Sequence, residues 1–178
     1  VGNSVAKTWD GMVNGISGVD SITLFDANED WGVRFAGEVR GFDPNTILDA
    51  REQRRFDRFA LLALAAATEA AKDSGFDFQS GDPYRHGVAI GSGIGGIGTI
   101  ETGVKGLITS GNRKIGPFTV PRLMVNAGAG QVSIRFNLRG ANIATATACA
   151  TGSHAIGAAF HLIQRGDADV MMAGGAEA

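Results

Sequence analysis

The only thiol of the chain, Cys149, sits in the run TATACATGSHAIG at 145–157, where an apolar strand-like segment gives way to an apolar helix-like one. That position favours nucleophilic chemistry. The first turn of a helix leaves N–H groups without intrahelical partners and carries a partial positive charge. Together they stabilise a nearby anion by about 0.3–1 kcal/mol, and by up to ~2 kcal/mol when it is partly buried. The anion in question is the thiolate, the reactive form of cysteine. Ala148, Ala150 and Gly152 add no bulk, so a thioester could reach both the sulfur and the backbone N–H groups that would hold its oxyanion. The layout parallels the strand-to-helix nucleophile elbow of hydrolases. Against it stands the plainer reading of a lone cysteine as a small, inert core residue.

Histidine is the usual base beside such a nucleophile, and the chain has three: His86, His154 and His161. His154 follows Cys149 by five residues, which on a helix is a rotation of about 140° away from it. It is therefore expected to pack or face solvent rather than act on the thiol, and His86 and His161 have less claim. A second segment, Gly91-Ser92-Gly93-Ile94-Gly95-Gly96, satisfies G-x-G-x-x-G after a strand. A dinucleotide site also wants a carboxylate about 20 positions further on, and 102–166 contains no Asp or Glu.

That same stretch carries Lys105, Arg113, Lys114, Arg122, Arg135, Arg139 and Arg165, a local +7 in a chain whose net charge is -2. An anionic partner would suit it, unless the cations scatter over several solvated faces. Nucleic acid is not expected, because the stretch has too few aromatics for a stacking platform. One cysteine excludes an internal disulfide, and no Cys/His cluster has zinc spacing, so no metal is expected and a reducing, cytoplasmic setting is the default. No apolar run approaches the ~20 residues that span a bilayer, so no membrane association is expected.

These residues need a scaffold, and hydrophobic content of 44% with 27 glycines among 178 residues suggests a tightly packed one. The patterning predicts a helix from Asn3, as cap, to about residue 14, with Val5, Trp9, Met12 and Val13 on one face, and a strand over 33–39. It predicts a long helix over 51–74 with Asp49 and Glu52 as capping pair, Gly75 as its stop, and Phe56, Phe59, Ala60, Ala63, Leu64, Ala67 and Ala71 on its buried face. Next come a strand over 87–91, the glycine turn, a helix toward residue 110, a loop with Pro117 and Pro121, and a helix over 121–136. The strand 142–147, helix 151–165 and strand 168–173 form a βαβ unit whose apolar strands suit a parallel sheet covered on both faces. The class is layered α/β. Val1 in place of an initiator Met, and a stop just after the last strand, lead us to expect a chain cut at both ends.

Several stretches, taken in order, resemble the beta-ketoacyl-acyl carrier protein synthases, most closely the type II elongating kind. They are REQRRFDRFA at 51–60, AIGSGIGGIGTIE at 89–101, RKIGPFTVP at 113–121 and NLRGANIATATACATGSHAIG at 137–157, followed by GDADVMMAGGAEA. The resemblance implies a thiolase-like αβαβα fold, of which residues 1–178 are the N-terminal half, and a homodimer in the complete enzyme. It makes Cys149 the nucleophile that takes an acyl group from acyl carrier protein before condensation with malonyl-carrier protein. Two histidines and a lysine that assist this in the family have no counterpart here. Ile94 would gate the acyl pocket, and Thr119 would line the neighbouring subunit's pocket, where the family usually has a bulkier residue. Arg51, Arg54, Arg55, Arg113 and Lys114 would form the carrier-protein dock. No cofactor is implied, since substrates arrive on the carrier's phosphopantetheine arm. A polyketide ketosynthase and a non-catalytic chain-length-factor-like partner are the alternatives, and Cys149 speaks against the latter.

Overall fold

The structure, a computed structural model, describes residues 1–111 and 115–178. It divides into two units, Val1–Asp43 and Pro44–Ala178.

In the first unit, helix α1 (Val5–Val13) is capped by Ser4, whose hydroxyl accepts from the Lys7 N–H. Asn3, the expected cap, instead donates its side-chain amide to the Arg40 carbonyl at 2.8 Å. The expected apolar face of α1 is solvent-exposed. Strands β1 (Asp20–Ser21) and β2 (Phe35–Ala36) pair antiparallel over two residues only, far short of the expected 33–39. The cause is Glu38. Its carboxylate, not a strand backbone, accepts from the N–H groups of Thr23 and Leu24 at 2.8 and 3.0 Å, so the ladder stops there.

The second unit begins with a correction to the long helix over 51–74. Helix α2 (Ala50–Gln53) starts as expected, with Asp49 accepting from the N–H groups of Arg51 and Glu52 at 2.8 Å. The chain then turns, and α3 (Arg58–Ser74) begins afresh, ending on left-handed Gly75. Asp57 makes the break. It is extended (φ −85°, ψ 164°) and caps nothing in its own helix. Its buried carboxylate instead accepts from the backbone N–H and hydroxyl of Thr99. The turn also lets both Phe56 and Phe59 reach the core.

Strand β3 (His86–Gly91) is buried at all six positions. Helix α4 (Ile97–Ser110) follows, with Thr99 in its first turn, so Asp57 is a cap supplied from another helix. The expected helix over 121–136 is two, α5 (Thr119–Leu123) and α6 (Ala127–Phe136). They are parted by extended Met124, where the Leu123 carbonyl accepts from the Gly96 N–H. Strand β4 (Asn142–Ile143) is shorter than expected, helix α7 (Thr151–Gln164) is as expected, and β5 (Val170–Gly175) runs two residues beyond the expected end.

The three strands form a parallel sheet, β4-β3-β5, with β3 central and in register with β5 from His86↔Val170 to Gly91↔Gly175. Side chains alternate across a strand. Val88 and Ile90 accordingly join Phe59 and Leu64 of α3 and Ala129 and Val132 of α6, while Ala89 packs against Ala155 and Ala159 of α7. Full burial of a side chain such as Phe59 is worth about 1.5–3 kcal/mol, so this helix-covered sheet holds the unit together. At its amino end Arg85 clasps Asp169 through Nε and Nη2 at 2.7 and 2.6 Å, and that guanidinium holds the Asp169 carboxyl below the usual carboxylate range. The α/β class is as expected. Among the described residues no helix is long and apolar enough to cross a membrane.

Candidate active site

In α/β sheets, ligands bind beyond the carboxyl ends of the strands, and there the second unit has a cavity of about 560 Å³. Three segments wall it: 91–94 at the end of β3, the Cys149 turn with Thr151 and Gly152, and 175–177 at the end of β5. Cys149 is exposed, on a 3-10 turn (Ala148–Ala150) that runs directly into α7.

Three threonines build that turn. After β4 the chain leaves the ladder because Thr145 donates its hydroxyl to the Thr151 carbonyl at 2.9 Å, and the Thr147 N–H donates to the Thr151 hydroxyl at 2.9 Å. Ala148 takes φ +49°, a left-handed value an L-residue rarely adopts, and this swings Cys149 into the cavity wall. The N-cap position of α7 is Ala150, which has no side-chain acceptor, so no side chain caps the first turn, although the Thr151 N–H donates to the Ala148 carbonyl. Gly91 must be glycine, since a Cβ there would run into the Thr145 carbonyl and the Thr151 methyl. His154 reaches back to the Thr147 hydroxyl at 2.8 Å, and among the described residues no hydrogen bond joins it to Cys149.

The glycine turn forms another part of the wall and presents Ile94, 56% exposed, to the same cavity. Its donors are already taken. Glu177 accepts from the N–H groups of Gly93 and Ile94 at 2.7 and 3.0 Å and from the Ser92 hydroxyl at 3.1 Å, while Ser92 accepts from the Gly95 N–H at 2.9 Å. A phosphate would meet a carboxylate where it needs donors, a further argument against nucleotide binding. Glu177 escaped the sequence reading because its partners lie 83–85 residues away. The available signal was a carboxylate two residues past a parallel strand.

The other expected residues lie elsewhere. Thr119 opens α5 and is not part of the cavity lining. Arg51 is on α2, with Arg54 and Arg55 on the turn that follows it, so none of the three starts a long helix as expected. All three are exposed, and among the described residues none forms an ion pair; Arg55 lies over the Phe118 ring at 5.6 Å. Arg113 and Lys114 fall outside the described residues. The remaining cations of the +7 stretch spread over several elements, and two meet carboxylates just beyond its ends, Lys105 with Glu101 and Arg165 with Asp167.

Fold and site define the class: a layered α/β protein whose ligand cavity opens beside a thiol. The family model described as beta-ketoacyl synthase, N-terminal domain, matches residues 1–178, and the chain belongs to that family. It is 47% identical over 178 residues to 3-oxoacyl-[acyl-carrier-protein] synthase 2 of Staphylococcus aureus, covering all of this chain and 44% of that enzyme. With the synthase of the same name from Vibrio cholerae it shares 48% over 177 residues, covering 99% of this chain and 42% of that one. The chain thus spans less than half the length of these relatives. Among solved structures, a beta-ketoacyl synthase from Burkholderia phymatum aligns with TM-score 0.78 and 28% identity over 93% of this chain and 42% of its own. A type II PKS ketosynthase in complex with its acyl-carrier protein, bound to the hexaketide, aligns with TM-score 0.69 and 30% identity over 76% of this chain and 39% of its own. The thiolase-like fold expected from the sequence is that of these neighbours.

Proposed function

We propose that this chain is the N-terminal, nucleophile-bearing half of an elongating 3-oxoacyl-acyl carrier protein synthase, and that Cys149 carries the growing acyl chain. The observation that supports it best is the exposed Cys149 thiol at the start of α7, which no side chain caps, in one cavity with Ile94. In the first stage Cys149 gives up its proton and the thiolate attacks the carbonyl of an acyl thioester; the Cys149 C–S bond forms, the carrier's C–S bond breaks, and the carrier leaves as a thiolate that takes up that proton. In the second, malonyl-carrier protein loses carbon dioxide, and the resulting carbanion attacks the acyl-enzyme carbonyl and expels the Cys149 thiolate. The product is a 3-oxoacyl thioester two carbons longer. Covalent capture splits one hard step into two easier ones. N–H groups of the α7 first turn, which no side chain caps, would receive the oxyanion of the first stage.

The groups that assist decarboxylation would come from outside this chain, so residues 1–178 alone are expected to be inactive. Acyl carrier protein is the partner, the complete enzyme is a homodimer in the cytoplasm, and phosphopantetheine-borne substrates make a resident cofactor unnecessary. Ile94 gates the acyl pocket of its own subunit, and Thr119 contributes to its neighbour's.

The test is intact mass of the full-length protein after incubation with a fatty acyl-carrier protein, followed by peptide mapping. An acyl adduct on Cys149 that disappears in Cys149→Ala is the expected result. No adduct with competent carrier would favour a fold-sharing, non-catalytic partner, and normal turnover by Cys149→Ala would sink the assignment.

A further inference from the structure

We infer that Glu177 is a positioning residue that sets the acyl-chain selectivity of the Cys149 site by holding the turn that carries Ile94, an inference that rests on the function proposed above. The pairing of β3 with β5 delivers it. The register ends at Gly91↔Gly175, and the Ala176 N–H still donates to the Gly91 carbonyl at 3.0 Å, so residue 177 comes to lie opposite residue 93. There one carboxylate gathers the Gly93 and Ile94 N–H groups on Oε2 and the Ser92 hydroxyl on Oε1. The buried Ser92 oxygen in turn accepts from the Gly95 N–H.

Three consecutive residues are thus fixed by one carboxylate, through hydrogen bonds of the charge-assisted and stronger kind, and Gly95 is tied to them by way of Ser92. The far end of the turn has its own anchor, because the Gly96 N–H donates to the Leu123 carbonyl at 3.1 Å and Gly95, at φ +79°, lies close against the 123–125 backbone. The near end, Gly93 and Ile94, is held by the Glu177 carboxylate. A Cβ on Gly93 would stand 2.9 Å from Glu177 Oε2, so the glycine is what admits the carboxylate. Ile94 is the one bulky side chain on this turn, and it faces the cavity that Cys149 also lines. Its place in that cavity therefore depends on Glu177. With the carboxylate in place the turn is stiff and a long acyl group must work against it. Without it the turn yields, and long acyl groups gain relative to short ones.

The experiment compares Glu177→Ala and Glu177→Gln with wild type in the full-length protein, measuring kcat/KM for Cys149 acylation by decanoyl- and butyryl-acyl carrier protein. Amide hydrogen exchange of the peptide containing 92–95 is followed in parallel. Glu177→Ala is expected to raise the decanoyl-to-butyryl ratio by about tenfold, the scale set by losing one hydrogen bond to a charged group, and to speed exchange at 93 and 94. Glu177→Gln keeps an acceptor for both amides and should return the ratio to near wild type. If both donors slow equally in Glu177→Ala, or exchange is unchanged, Glu177 is merely structural and the inference is overturned. Failure of wild type to acylate with either donor overturns the underlying reading, and this inference with it, before any variant is compared.

Discussion

Asp57 shows how one side chain can serve an element other than its own. It stands at the start of α3, yet its carboxylate accepts from the N–H and hydroxyl of Thr99 in the first turn of α4. An anion at that helix start satisfies an orphan donor and complements the dipole. Because Asp57 is only 6% exposed, water cannot readily take over. Asp57→Ala should therefore cost about 2 kcal/mol, within the range for losing hydrogen bonds to a buried charged group. Asp57→Asn, which retains an acceptor, should cost less. Urea unfolding of the full-length protein reads both, and an unchanged midpoint in Asp57→Ala would mean that Thr99 finds other partners. From the sequence, Asp57 reads as one more polar position on a helical pattern. Cys149 and Ile94 were legible because each is the sole reactive or bulky residue in a run of small ones. Asp57 and Glu177 were not, because each takes its meaning from a partner more than forty residues away.

Elements bounded by local signals were the readable ones. The buried strand at 86–91 is an apolar run stopped by glycine, and α7 and β5 follow from continuous apolar and small residues. Where a tertiary hydrogen bond competed with local pattern, the pattern lost: Asp57 split the 51–74 helix, and Glu38 ended the 33–39 strand. Glu38 makes its element sensitive to acid. The Thr23 N–H and hydroxyl, then the Leu24 N–H and the Arg40 guanidinium, hold its carboxyl at about 2, below the ordinary 4.5. A group whose folded pKa is depressed stabilises the fold above its unfolded value and loses that contribution as pH falls through the folded one. The contacts at 23–24 should accordingly be intact above about 4.5 and release toward about 2. Amide shifts of Thr23 and Leu24 followed by NMR against pH should show a midpoint near 2 that is absent in Glu38→Gln. A midpoint near 4.5 would show that the carboxyl is not held.

At the scale of the whole molecule the question is what the described surface is for. Exposed apolar residues recur at helical spacing on α4 (Ile100, Val104, Leu107, Ile108) and on α7 (Ile156, Phe160, Ile163). Stripes of this kind mark surfaces that pack against something. The charges follow a different logic. Five of the seven cations between 102 and 166 are described, and they lie on separate elements, two of them paired at the edges, so they make no single field. Arg51, Arg54 and Arg55 differ: they are exposed, clustered within five residues, and free of ion pairs among the described residues. An acidic carrier protein meeting such a cluster would be steered and oriented by it more than bound tightly, and the effect would fade with salt. Charge reversal by Arg54→Glu with Arg55→Glu in the full-length protein should therefore raise KM for acyl-carrier protein by about tenfold at low salt, the factor that 1.4 kcal/mol sets. KCat should hold, and the difference from wild type should shrink as salt is added. The same variant assayed with a small acyl thioester that lacks the carrier should behave as wild type. If KM for the carrier substrate stays at its wild-type value at low salt, these arginines do not form the dock. If the small thioester suffers equally, their effect lies in the fold rather than in recognition.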